Sequence, residues 1–560
     1  MSARWHSGSA AGSAAGSGGA PATGAERLIG PARRAAPAAD AEPASGRVRV
    51  APSSSSRWRA PHKTTDSALR GRIQCGSPAA CPAAWSFGPL LGRPRQTLAR
   101  RRCGGGDEPR ALGVEVATAR EPAAAEARRR WDREIFRLAI PALGSLVAEP
   151  AYVLVDTAIV GHLGTPQLGG LALAGQLLLT VFAVFIFLAY GTTAAVARLL
   201  GAGRAGDAAR WGVQALLMAL VAGIAAGAVL YGLSDRLLRL LGGEGEVLAQ
   251  ARIYLHISLA GLPALLIMLA GVGYLRGTLD MARPLKVAAL TAVGNLVLEV
   301  ILVYGLGFGI GASAASTVAA QWVGAALYVR WVLQSARPHI ARLRPDVAVL
   351  GRLVRTGGSL LVRTSALHAA FLAAAAVAAR IGVADLAAHQ INAQLFGFSA
   401  LALDALAIAA QGMIGTMLGA GDAAGARGVG RRVTWWGLVF GLLAGAAAVG
   451  LRPLLPDLFS NDAAVVSLAG FLMLHLALML PINGVTFALD GVLIGAGDLR
   501  YLAGAMLAAS GLFVPLAVGV RLTDAGIGWL WGALTVFMAA RLVGVGLRFA
   551  GHRWVRLGGQ

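Results

Sequence analysis

Leu171-Ala-Leu-Ala-Gly-Gln-Leu-Leu-Leu-Thr-Val-Phe-Ala-Val-Phe-Ile-Phe-Leu-Ala-Tyr-Gly-Thr-Thr-Ala-Ala-Val-Ala197 runs for 27 residues without one charged side chain. As a helix it would be about 40 Å long, more than the roughly 30 Å of hydrocarbon in a bilayer. Working outward in both directions, comparable runs recur at 135–160, 212–233, 252–276, 285–306, 311–334, 351–380, 391–417, 433–451, 463–494, 501–520 and 526–549. Twelve such runs exclude a soluble protein with buried helices. The fold class expected is an all-α membrane protein.

Composition agrees, with 56% hydrophobic and 14% charged residues among 560 and a mean hydropathy of +0.63. A formal charge of +22 could indicate a nucleic-acid binder. Its distribution argues against one. Residues 1–130 hold 21 Lys/Arg and 9 Asp/Glu, and the remainder holds 29 and 19, the excess sitting at span ends. The expected partners are the lipid bilayer and a small molecule, not nucleic acid, and the expected state is a monomer. All three cysteines (Cys75, Cys81, Cys103) precede the spans, and no Cys/His cluster suggests a metal or a cofactor.

Residues 1–130 are rich in Ala, Gly, Ser, Pro and Arg, with too little apolar side chain to offset the entropy of ordering. A disordered basic extension is expected, either a tail or the product of a start codon placed too far upstream. Its composition also matches an organelle transit peptide, a reading set behind those two. The domains expected beyond it are a first lobe over 131–345 (spans 1–6) and a second over 346–560 (spans 7–12).

Lys and Arg mark the cytoplasmic side. Arg128, Arg129, Arg130, Arg133 and Arg137 precede or open span 1; Arg198, Arg204 and Arg210 surround the loop after span 2; Arg276, Arg283 and Lys286 surround the turn after span 4. Arg337, Arg342, Arg344, Arg352 and Arg355 lie between spans 6 and 7, Arg427, Arg431 and Arg432 between 8 and 9, and Arg553 and Arg556 after span 12. Both termini are expected in the cytoplasm, in a plasma (inner) membrane.

The chain repeats itself. Gly161-His-Leu-Gly-Thr-Pro-Gln-Leu-Gly-Gly-Leu-Ala-Leu-Ala-Gly-Gln-Leu177 aligns with Ala379-Arg-Ile-Gly-Val-Ala-Asp-Leu-Ala-Ala-His-Gln-Ile-Asn-Ala-Gln-Leu395 at an offset of 218. The same offset carries Leu200-Gly-Ala-Gly203 onto Leu418-Gly-Ala-Gly421 and Gly277-Thr-Leu-Asp280 onto Gly495-Ala-Gly-Asp498, and Gly309-Ile-Gly311 meets Gly526-Ile-Gly528 after one deletion. Six spans per half is even, so the halves enter the bilayer the same way, as parallel repeats that can rock about a shared cavity.

An ionisable side chain at membrane depth is a functional suspect. Six stand out: Glu149, Asp156, Glu299, Arg363, Asp404 and Asp490. Asp156 lies roughly 31 Å along span 1 from Ile135, and Glu149 is two turns earlier on nearly the same face. Pro141 and Pro150 weaken the intervening hydrogen bonding, so a bend is expected there, and another at Pro481 beside Asn483 in span 10. Asn295 and Glu299 are four apart and share a face of span 5. Arg363 and Asp404 sit at similar depths in adjacent spans, where an ion pair between them or a face toward substrate would serve equally. Asp490 is expected to reach out to the interface and carries no assigned role. Phe182, Phe185, Phe187 and Tyr190 are expected to pack the bundle or face lipid rather than line a cavity for aromatic cations. No phosphate-binding GxxxxGK[ST] loop and no HExxH or GxSxG context is present.

These residues resemble the multidrug and toxic compound extrusion (MATE) family, in its DinF-like branch. The resemblance rests on Glu149-Pro-Ala-Tyr-Val-Leu-Val-Asp-Thr-Ala-Ile-Val-Gly-His-Leu-Gly164, Leu275-Arg-Gly277, Gly294-Asn-Leu-Val-Leu-Glu299, Ala387-Ala-His-Gln-Ile391 and Leu403-Asp-Ala-Leu-Ala-Ile-Ala-Ala-Gln411. It covers residues 131–556 and implies a cation-coupled antiporter that exports hydrophobic or cationic compounds, xenobiotics among them, by alternating access. It also implies a coupling site in which Asp156 is joined by Asn295, Glu299 and Thr317; membrane depth alone makes Glu149, Arg363 and Asp404 candidates for a supporting or substrate-facing place. Glu299 stands where the family more often has Asp. These oxygens suit H⁺ or, at Asp156 and Glu299, Na⁺, and the resemblance to proton-coupled members favours H⁺. The alternatives are a lipid-linked precursor flippase of the same superfamily and, further off, an intramembrane enzyme, for which no catalytic constellation is found.

Overall fold

In the computed structural model residues 112–339 and 345–558 are described, with side chains from residue 125 onward. Most of the expected 1–130 extension, together with Arg342 and Arg344, therefore lies outside the described residues. The first helix, Leu112–Gly161, already begins inside the segment expected to be disordered.

The described chain is a bundle of long helices. Eleven are long and apolar enough to cross a membrane: Ala125–Gly161 (span 1), Thr165–Gly201 (span 2), Ala205–Leu240 (3), Ala282–Gly305 (5), Ile310–Ala336 (6), Val347–Ile381 (7), Val383–Gly419 (8), Ala423–Gly450 (9), Ala463–Gly495 (10), Leu499–Leu522 (11) and Ile527–Ala550 (12). Span 4 is a pair, Gly245–Leu259 and Leu262–Gly277, bent by 51° at the break. Leu179, Val293, Leu372, Leu443 and Leu478 are exposed apolar side chains, as a lipid-facing surface requires.

The sequence places bends at Pro141, Pro150 and Pro481. Helix Leu112–Gly161 runs unbroken through the first two and Ala463–Gly495 through the third. The break falls at Gly261, just before Pro263. Pro263 is the counterpart of Pro481 at the 218-residue offset, and each meets a glycine of the neighbouring span. A Cβ on Gly223 would lie 2.5 Å from Pro263 Cα, and one on Gly441 would lie 2.7 Å from Pro481 Cα. Tight backbone approach at small residues is how helices associate where lipid removes the hydrophobic driving force.

The repeat is thus a structural one. Gly203 and Gly421 turn the chain with φ of 73° and 81° after spans 2 and 8. Gly273 and Gly491 approach the carbonyls of Ala189 and Ala407, themselves counterparts. Between the two halves, span 8 packs on spans 1 and 2, and span 7 on span 2.

The hydrogen bonds between lobes, among the described residues, cluster toward the end of the bundle where span 1 begins and span 12 ends. Arg432 and the Trp436 indole donate to Asp132, the indole at 2.8 Å. Arg198 donates to the carbonyls of Ala496, Arg556 and Gly558 at 2.7, 2.7 and 2.9 Å. The deepest joins Tyr190 of span 2 to Asp404 of span 8.

Candidate functional site

Three spans of the first lobe converge on Asp156. Its side chain is 5% exposed despite standing only five residues from the end of the helix. The Ser313 hydroxyl of span 6 donates to Asp156 Oδ1 at 2.6 Å. Glu299, 1% exposed on span 5, sits beside it, close enough for the two carboxyl groups to interact directly and for both to meet Ser313. Asn295, one turn before Glu299, and Thr317, one turn after Ser313, are buried as well. The four residues expected to form the site are therefore assembled from spans 1, 5 and 6.

Its electrostatics are one-sided. Among the described residues neither Asp156 nor Glu299 takes part in an ion pair. Glu299 Oε1 and Asn295 Oδ1 are buried without any hydrogen-bond donor. Both atoms are pure acceptors and can receive a proton or a small cation. Glu149, by contrast, is exposed and does not join the buried pair.

Sequence reasoning missed three residues here. Ser313 gives Asp156 its direct donor, while Tyr152 and Tyr254 stand near enough for their phenols to sense both carboxylates. Tyr152 was findable, being one turn before Asp156 on the same face. Ser313 and Tyr254 gave no signal, because a serine or tyrosine in an apolar span is ordinary until its neighbour is known.

The second lobe supplies an internal comparison. At the offset of 218, or 217 beyond the deletion, Tyr152, Asp156, Tyr254, Asn295, Glu299, Ser313 and Thr317 correspond to Ala370, Ala374, Leu472, Phe513, Ala517, Leu530 and Leu534. All seven counterparts belong to one buried hydrophobic cluster. The same scaffold thus holds seven polar side chains in one lobe and none in the other. Stability alone does not call for the polar version.

A second charged group lies where the lobes meet. Of the two readings of Arg363 and Asp404, an ion pair between them or a face toward substrate, the ion pair is not formed. Arg363 instead donates to Asp490 Oδ2, which Arg541 also reaches at 3.0 Å, and Asp404 accepts from the Tyr190 hydroxyl at 3.1 Å. Asp490 does not extend to the interface either; it is 5% exposed. The reason is that span 10 ends inside the bundle, where Gly495 packs on the Gln411 backbone as Gly277 packs on Val196 and Thr193. Phe182, Phe185 and Phe187 pack against the first lobe's core.

The MatE family model matches residues 141–304 and 363–518, one match in each half. Protein DETOXIFICATION 44, chloroplastic, of Arabidopsis thaliana is 32% identical over 425 residues, covering 73% of this chain and 80% of that protein. DNA damage-inducible protein F of Escherichia coli is 31% identical over 423 residues, covering 73% and 90%. The crystal structure of the Vibrio cholerae MATE transporter VcmN in the bent form superposes with a TM-score of 0.72 at 22% identity, over 77% of this chain and 98% of that one. The chain belongs to the MatE family of multidrug and toxic compound efflux transporters, as a multi-pass membrane protein and not an enzyme.

Proposed function

We propose that the protein exports hydrophobic or cationic small molecules in exchange for an inward-moving cation, H⁺ in preference to Na⁺, by alternating access. The observation that carries this reading is the unpaired Asp156–Glu299 constellation set against its wholly apolar counterpart. Two carboxylates side by side repel one another, and a proton or Na⁺ arriving between them relieves that repulsion. Ser313 holds Oδ1 of Asp156, and Glu299 stands near enough for the two carboxyl groups to interact. Loading and unloading the pair changes the charge buried in the first lobe, so it biases which lobe arrangement is stable and whether cargo is held or released.

In this reading each chain works as a monomer, since both lobes come from one chain. The Lys/Arg-rich end carrying both termini faces the cytoplasm of a plasma (inner) membrane. A second location, an organelle envelope, is supported by the name of the chloroplastic relative together with the Arg-rich, acid-poor residues 1–130. A carboxy-terminal fluorescent fusion separates the two.

The test of coupling is dye efflux from proteoliposomes under imposed proton and sodium gradients. Efflux should follow the proton gradient and vanish in Asp156→Asn while the variant remains folded. Efflux indifferent to both gradients, or full activity in Asp156→Asn, would overturn the reading.

A further inference from the structure

Spans 11 and 12 pack on spans 7 and 10 of their own half, which leaves their other faces toward the bilayer. Between them runs a groove of about 600 Å³, within the size range of sites that hold small ligands. It is lined from Arg500 and Tyr501 at one end, through Gly504, Ala508 and Gly544, to Leu512 at the other. Over that stretch span 11 advances about 18 Å, a little more than the roughly 15 Å that one leaflet adds to the hydrocarbon core. Small residues in a span ordinarily mark close helix packing, as at Gly223 and Gly441. Gly504 departs from that rule. A Cβ there would meet nothing within 4 Å, and one on Gly544 would make only ordinary contact with Ala505 at 3.4 Å. At the repeat offsets Gly504, Ala508 and Gly544 correspond to Lys286, Leu290 and Leu327, each with a larger side chain. The small residues that open the groove are thus particular to the second half.

The charges at its head leave one cation over. Arg548 is engaged by Asp498 at 2.6 Å and by the Tyr501 ring at 4.6 Å, and the Tyr501 hydroxyl donates to the Gly544 carbonyl at 2.8 Å. Arg500 is exposed and, among the described residues, takes part in no ion pair. Span 11 begins at Leu499, so Arg500 stands at headgroup depth over the mouth of an apolar channel. We propose that the groove binds an anionic phospholipid, one acyl chain lying along Gly504 and Ala508 and the headgroup phosphate meeting Arg500. A free phosphate would need only the guanidinium; the apolar length beside it is what selects a lipid. A zwitterionic headgroup carries its own cation next to the phosphate, so a net-negative lipid is preferred. The site stands apart from Asp156 and depends on neither the coupling ion nor the cargo.

The test is photocrosslinking of the purified full-length protein in neutral-detergent micelles. The probes are phosphatidylglycerol and phosphatidylcholine bearing a diazirine on one acyl chain, and labelled peptides are read by mass spectrometry. At sub-saturating lipid, phosphatidylglycerol should label the groove walls, residues 501–512 and 540–544, about fivefold more than phosphatidylcholine does. Arg500→Gln should erase that preference. Gly504→Leu, for which the space is open, should cut labelling there about tenfold with either lipid, and Ala508→Leu should do the same from an exposed position. Labelling of spans 5 and 6 in the same samples should stay constant, which reports an intact fold. Equal labelling by the two lipids in the unmodified protein, a preference that survives Arg500→Gln, or groove labelling that survives both blocking variants overturns the proposal. So does a dimer in lipid-free micelles that Gly504→Leu dissociates, because the groove would then belong to a second copy of the chain.

Discussion

The Ser313 hydroxyl and Asp156 Oδ1, 2.6 Å apart and 157 residues distant in sequence, tie span 6 to span 1 inside the first lobe. Ser313 is fully buried, and its own carbonyl accepts from Ser316, so the donor is held in place from behind.

Removing that donor should impair transport without unfolding the protein. A hydrogen bond to a charged group is worth about 1.5–3 kcal/mol, and Ser313→Ala deletes one oxygen from a close-packed position. Gradient-driven efflux is expected to fall by about tenfold. Ser313→Thr, which keeps the hydroxyl, should restore most of it. Normal efflux in Ser313→Ala, measured in proteoliposomes at matched protein content, would remove Ser313 from the site.

The contact between lobes near the termini is symmetric about two glycines. A Cβ on Gly201 would lie 2.0 Å from the Thr416 carbonyl oxygen, and one on Gly419 would lie 2.1 Å from that of Arg198. Gly201 corresponds to Gly419 and Arg198 to Thr416 at the repeat offset. Backbone cannot yield as a side chain can, so Gly201→Ala and Gly419→Ala should each cost about 1–3 kcal/mol in the arrangement closed at this end. Spin-label distances across this end should lengthen in either variant. Gly175→Ala, where nothing lies within 4 Å, is the control and should leave them unchanged.

Asp490 should be indispensable for folding only while its arginines are present. Asp490→Asn leaves Arg363 and Arg541 facing a neutral amide in the bundle interior, a loss of about 3–5 kcal/mol. Arg541→Met in the same chain should recover part of it, because one of the two stranded charges is gone. Thermal unfolding of the two single variants and the double variant measures the coupling. Strict additivity would mean that Arg541 and Asp490 do not interact.

Of the proposed coupling site, Asp156, Asn295 and Glu299 were legible because a carboxylate or amide in an apolar span is conspicuous, and because i, i+4 spacing reads off a helix face, whereas Thr317 came from the family resemblance alone. Ser313 and Tyr254 were not. Their importance lies in which span they face, and a helix sequence does not state its rotation about its own axis. That Arg363 pairs with Asp490 and not with Asp404 has a related cause. Depth along adjacent spans made Asp404 the natural partner, but span 10 ends inside the bundle and brings Asp490 to the guanidinium first. The break at Gly261 was overlooked for a local reason. Pro481 has the same repeat position as Pro263, yet its helix continues, so proline alone did not decide where the backbone yields.

By itself the sequence determined the twelve crossings and the twofold repeat, since both follow from hydrophobic length and from one constant offset, quantities that need no third dimension. Only the tertiary structure decided that seven polar positions of the first lobe are answered by seven apolar ones in the second, and that Arg363 and Arg541 share Asp490. In a bilayer any apolar helix can cross. Which of its faces meets another helix is fixed by close backbone approach at glycines and by buried hydrogen bonds, and those exist only once distant spans are side by side.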